Sequence, residues 1–160
     1  MVMKTYKMYV RPIMESAVQV WNPWLCCDIE HLEKVQRRAT KLVSGIGSKT
    51  YEERLSYCNL TSLEQRRERA DVTECFKILN GFTDMEQRTF FEHITERHDV
   101  STRGATEDLL VPEKTKLDIR KFFFNNRVAK SWNDLPLEIR SAPSINCFKN
   151  LYDLHAQSIT

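Results

Sequence analysis

Apolar positions along this chain recur mostly at helical spacing. Tyr6, Val10, Ile13, Ala17 and Val20 step by four and three, which lays them on one face of a helix. Pro12 lacks an N–H and crowds the preceding turn, so a kink or short break is expected there. Asn22-Pro23 ends the segment. A second stripe follows: Ile29, Leu32, Val35, Ala39, Leu42, Val43 and Ile46, with Asp28 placed to cap it and Gly45 and Gly47 as stop signals. Glu30, Lys34, Arg37, Arg38 and Lys41 occupy its opposite face, acids first and bases last, an order that suits the helix dipole.

Three capping-box patterns come next: Thr50-x-x-Glu53, Thr61-x-x-Glu64 and Thr83-x-x-Glu86. In each, the hydroxyl can accept a free N–H while the Glu reaches back to the cap's own N–H, predicting helix starts near 51, 62 and 84. The middle helix is predicted to run from about Ser62 to Asn80, with Leu63, Ala70, Phe76 and Leu79 inward and Gly81 as its C-terminal cap. Residues 96–106 show no period and read as a linker. Leu109-Leu110-Val111 and Leu117-Asp118-Ile119 flank turn-prone residues, which admits a hairpin. Phe124, Val128 and Trp132 step by four, and Ser144 caps a last helix carrying Ile145, Phe148, Leu151 and His155. The expected fold is mainly α: an irregular helical bundle with a small β-hairpin near residues 108–120. Its expected division is a helical region over 1–95, the linker 96–106, and a C-terminal helical subdomain over 107–160.

Composition narrows the function classes more than it selects one. Net charge is +2, too small to imply a polyanion partner without local clustering. Residues 1–80 hold 13 Lys and Arg against 10 Asp and Glu, so the basic excess sits in the first half. The five cysteines are odd in number, and Cys26 and Cys27 are adjacent, poor material for a disulfide framework; they read as reduced thiols of an intracellular protein, cytoplasmic or nuclear. No apolar run approaches the length of a membrane span, and the first residues lack a signal-peptide core.

Chemistry is hard to place. There is no Asp-Asp pair to hold Mg²⁺, no glycine-rich phosphate loop among four glycines, and no Gly-x-Ser-x-Gly elbow. Cys26, Cys27, His31, His93 and His98 lack the spacing of a zinc site, so no metal is expected. The basic residues carry more. Lys34, Arg37, Arg38 and Lys41 recur at i, i+3, i+4 and i+7, and Arg66 and Arg67 cluster at the start of the next long helix. Such edges can track a phosphate backbone. The competing reading is a solvated face, with Glu30–Lys34 and Glu33–Arg37 as i,i+4 ion pairs.

One ordered series of short motifs goes further. Tyr9-Val10-Arg11-Pro12-Ile13-Met14-Glu15, Val20-Trp21-Asn22-Pro23, and Leu32-Glu33-Lys34-Val35-Gln36-Arg37-Arg38-Ala39-Thr40-Lys41-Leu42 lead it. Tyr51-Glu52-Glu53-Arg54-Leu55, Leu63-Glu64-x-Arg66-Arg67, Asp71 and Phe76-Lys77-Ile78 continue it. Phe123-Phe124-x-x-Arg127-Val128, Trp132-Asn133-x-Leu135-Pro136 and Ala142-Pro143-Ser144-Ile145-x-x-Phe148-Lys149 complete it. The series resembles the region after the palm in reverse transcriptases of LINE-type (non-LTR, jockey-like) retrotransposons. It departs from that pattern at Ser16, Val18-Gln19, Trp24 and Cys75. The resemblance implies a thumb over residues 1–50 and a C-terminal tail beyond. It places the endonuclease, fingers and palm, with the catalytic aspartates and their Mg²⁺, before this region. It therefore implies a non-catalytic C-terminal fragment of an RNA-directed DNA polymerase, with no cofactor of its own. Its partners would be an RNA or RNA–DNA duplex backbone, met by Lys34, Arg37, Arg38, Lys41, Arg66 and Arg67, and the missing palm. Self-association through an exposed apolar stripe, a structural or protein-interaction module, and a functionless relic of a truncated element are the alternatives.

Overall fold

The computed structural model describes residues 1–94 and 109–159, and the linker expected at 96–106 lies outside them. The chain is mainly helical, and it separates into two units, Met1–Ala70 and Asp71–Thr160. That division falls inside a helix. Strands on either side of the linker pair with each other, which puts both flanks in the second unit.

The first unit opens with α1 (Val2–Thr5), a π-helical turn (Tyr6–Val10) and α2 (Arg11–Glu15). Pro12 sits at the start of α2, and the Arg11 N–H reaches back five residues to the Tyr6 carbonyl. The wider turn is how the helix accommodates a ring that would clash with the ordinary ladder. Ser16 is extended and Ala17 left-handed (φ 53°), after which α3 (Val18–Trp21) begins. This break rotates the apolar phase. Tyr6 and Val18 are buried, whereas Ile13 and Val20, on the predicted stripe, are 76% and 81% exposed.

Next come α4 (Cys26–Lys41), α5 (Tyr51–Cys58) and α6 (Leu63–Leu79), whose first eight residues belong to this unit. α4 is capped at Leu25 and not by Asp28, which lies in its first turn. The Thr50–Glu53 box forms as predicted. α6 starts one residue later than expected, because Ser62 and Gln65 make the reciprocal pair in place of Thr61 and Glu64.

In the second unit, α6 ends on Gly81 (φ 68°), where the Phe82 N–H bonds the Lys77 carbonyl. The third predicted box does not form: α7 (Gln87–Phe90) starts at Gln87 with no side-chain cap. β1 (Glu92–His93) and β2 (Leu110–Val111) make a two-stranded antiparallel sheet, Glu92 opposite Val111. A small sheet is thus present near residue 110. The 117–119 segment is not its second strand, because Leu117 leads instead into α8 (Asp118–Lys121). α9 (Phe124–Asn133), α10 (Leu137–Arg140) and α11 (Ile145–Ile159) complete the chain.

The core of this unit is aromatic. Phe148 stacks on Phe76 with ring centroids 4.3 Å apart and also meets Trp132 and Tyr152. Asn133 clamps β2 by accepting the Leu110 N–H and donating to its carbonyl (2.9 and 2.8 Å). Arg127 forks onto Asp71 at 2.8 and 3.0 Å, tying α9 to α6. Since Phe148 is fully buried among three rings, Phe148→Ala should cost about 3–5 kcal/mol. Urea denaturation followed by circular dichroism measures this, and a loss below about 1 kcal/mol would show that the stack is not the core.

Candidate nucleic-acid interface

α4 carries an apolar stripe, yet its most buried side chains are Glu33, Gln36 and Thr40. Leu32 and Ala39 are half-buried, while Val35 and Leu42 of the predicted stripe are exposed. The buried face is polar because its members satisfy one another. The Tyr6 hydroxyl donates to Gln36 Oε1 at 2.8 Å. Gln36 Nε2 donates to the Thr61 carbonyl (2.9 Å) and the Tyr51 hydroxyl (3.0 Å). Tyr51 in turn donates to Glu33 Oε1. The Leu63 N–H, first residue of α6, donates to both Glu33 oxygens, the nearer at 3.0 Å. Glu33 thus places a carboxylate at the N-terminus of a 17-residue helix, where free N–H groups and the helix dipole favour one.

This network decides what the opposite face of α4 can do. Glu33 is 7% exposed and turned inward, so it does not form the i,i+4 pair with Arg37 that the sequence suggested. Arg37 instead lies over the Tyr51 ring, 4.5 Å from its centroid. Lys34, Arg37, Arg38 and Lys41 are all exposed. Among the described residues none of the four forms an ion pair, Glu30–Lys34 included. They occupy about 10 Å of helix axis.

Arg66 and Arg67, at the start of α6, are placed differently from the four residues on α4. Arg67 is 2% exposed and donates through Nε to Asn22 Oδ1 at 3.0 Å. Arg66 forks onto Glu15, with Nη2 to Oε2 at 2.9 Å. Both guanidiniums bind the segment before α4 to the first turns of α6, an internal structural task. Glu15 and Asn22 lie 51 and 45 residues earlier in the chain, and no local pattern marks them as partners of this doublet.

Glu33, Gln36 and Tyr51 are what the sequence reading missed as a set. Each is ordinary in its local pattern, and only the packing of α4, α5 and α6 brings them together. Among the described residues, no group of three His, Cys, Asp or Glu side chains is placed to hold a metal ion, and no helix is long and apolar enough to cross a membrane. Cys26 and Cys27 are exposed free thiols; Cys75 is buried, which pushes its thiol well up. The chain matches no family model, no curated protein and no solved structure with which it was compared.

Two expectations follow for the network. Glu33→Ala leaves the Tyr51 hydroxyl and the Leu63 N–H without their acceptor, and each buried orphan costs about 1–3 kcal/mol. A fall of about 2–5 kcal/mol in unfolding free energy is expected, and an unchanged urea midpoint would rule out the capping role. Burial is the main cause that raises the phenol pKa values of Tyr6 and Tyr51, with the Glu33 hydrogen bond adding to the effect at Tyr51. A phenol that ionises later in the folded state stabilises the fold below its unfolded value, about 10, and loses that contribution as pH rises beyond it. Phenolate absorbance should therefore show Tyr6 and Tyr51 titrating late, together with loss of helical dichroism. Five tyrosines titrating as one ordinary class would contradict the burial of these two.

Proposed function

We propose that this chain is a C-terminal part of a LINE-type reverse transcriptase, non-catalytic by itself, that holds nucleic acid along α4 and supports the palm. The motif series carries the family assignment. One physical observation supports the nucleic-acid part: four exposed cations on one face of α4 have no acidic partner among the described residues. Lys34–Arg37, Lys34–Arg38, Arg37–Lys41 and Arg38–Lys41 are i,i+3 or i,i+4 pairs of like charge. Each destabilises the helix by roughly 0.2–0.5 kcal/mol. A phosphate backbone relieves that repulsion and releases its own counterions. The contacts reach phosphates and read no bases, so the binding is indifferent to sequence.

A second reading rests on Ile13 and Val20, which expose most of their surface, as does Tyr9. Exposed apolar side chains of this kind suit a protein partner, the palm or a second copy. Such an association depends little on salt, which separates it from the first reading.

Duplex binding through four contacts should give a log–log salt slope of about −3 to −4. Replacing Arg37 and Arg38 together by Glu should flatten it by about two units, weaken every sequence alike, and leave the stability of the fold nearly unchanged, because loss of the like-charge pairs offsets loss of the Arg37–Tyr51 contact. Fluorescence anisotropy across a salt series and a thermal melt supply both readouts. A flat salt response in the unaltered protein sinks the nucleic-acid reading.

A further inference from the structure

We infer that Tyr51 is a positioning residue for the α4 edge: its ring holds the Arg37 guanidinium in place, and Glu33 and Gln36 hold the ring. This inference rests on the nucleic-acid reading for its functional meaning, but its geometry stands independently. Tyr51 is the first residue of α5, fixed there by the Thr50–Glu53 capping box. Its hydroxyl is engaged by Gln36 and Glu33, and the side chain is buried, so the ring has one orientation. Arg37 lies over that ring at 4.5 Å. Arg54, the other guanidinium near it, has Cζ 5.7 Å from the centroid and is tied to Thr40 Oγ1 (3.2 Å) and the Lys49 carbonyl (2.6 Å). Among the described residues, Lys34, Arg38 and Lys41 have no comparable platform. One cation of the four is therefore pre-ordered.

An arginine gains from this in a way a lysine does not. Its guanidinium is planar, stacks on an aromatic face, and can still fork onto phosphate oxygens through its edge. A long side chain free in water loses rotamer freedom when it binds; one already resting on a ring loses less. The buried Glu33 contributes twice, by anchoring the ring and by withholding its carboxylate from Arg37.

The test uses the full chain, a short mixed-sequence RNA–DNA duplex, and five variants: Tyr51→Phe, Tyr51→Leu, Arg37→Lys, Arg37→Ala and the double variant Tyr51→Leu/Arg37→Ala, for which Arg37→Ala is the reference. Tyr51→Phe keeps the ring and should stay within about two-fold of the parent affinity even if stability falls. Arg37→Lys keeps the charge without the stack and should bind about two- to five-fold more weakly, the range of an exposed cation–π contact. Tyr51→Leu should weaken binding by a similar factor when Arg37 is present and have no further effect when it is absent. Equal losses in both backgrounds, or an Arg37→Lys variant with unaltered affinity, would overturn the proposal and leave Tyr51 a purely structural residue.

A second readout needs no nucleic acid. The side-chain N–H resonance of Arg37 should carry a ring-current shift that Arg38 lacks, retained in Tyr51→Phe and lost in Tyr51→Leu. An unshifted Arg37 removes the platform outright. A shifted Arg37 in a protein that shows no salt-dependent binding removes the interface reading instead, so the two failures are told apart.

Discussion

The first unit depends on one buried carboxylate. Glu33 accepts hydrogen bonds from the first N–H of α6 and from the Tyr51 hydroxyl, and so connects three helices through two oxygen atoms. Burying such a group is expensive unless its lone pairs are filled. Here they are, and Gln36 extends the same chain of donors to Tyr6 and the Thr61 carbonyl. Polar networks of this kind specify as much as they stabilise. An apolar contact tolerates sliding; a glutamate set against a helix N-terminus fixes the register of α4 against α6. The residues that look like the core of α4, such as Val35 and Leu42, are left facing water.

The second unit is held differently. Its interior is a stack of rings around Phe148, non-directional in its main driving force. Direction comes from the polar contacts at its margin: Asp71 with Arg127, and Asn133 on both main-chain groups of Leu110. The Asn133 clamp explains how a strand of only two residues persists. A two-residue sheet has too few ladder bonds to be stable alone, and the asparagine supplies two more from α9.

Helices were legible where apolar spacing and caps agreed. Phe124, Val128 and Trp132 lie buried on α9 as their spacing predicts, and Gly81 ends α6 in the left-handed conformation expected of it. Legibility failed where burial is polar or where the phase shifts. Periodicity counts Glu33 and Gln36 as surface residues, so α4 was assigned an inward face about one position out of register. The left-handed Ala17 reset the phase of the first stripe, and nothing in an alanine announces that. The nearest apolar run to Leu110-Val111 is 117–119, whereas its actual partner, β1, lies on the far side of the 96–106 segment. Of the six basic residues singled out, the four on α4 face solvent, since their helix turns its other side inward. Arg66 and Arg67 could not be separated from them by sequence, because burial of a guanidinium depends on distant acceptors, here Glu15 and Asn22.

The cationic edge and the buried network are two consequences of one choice of side chain. Glu33 lies one residue before Lys34 and four before Arg37, so a small rotation of α4 decides where its carboxylate goes. Directed outward, it would neutralise part of the edge and leave the Leu63 N–H without its acceptor. Directed inward, it caps α6, anchors Tyr51 and leaves four like charges side by side on the surface. The fold gains from the inward choice more than the surface loses. A capped, buried helix start is worth more than an exposed ion pair, which contributes on the order of a few tenths of a kcal/mol. The repulsion that remains on α4 is the small residual cost, and it is the part of the balance that an anionic partner changes.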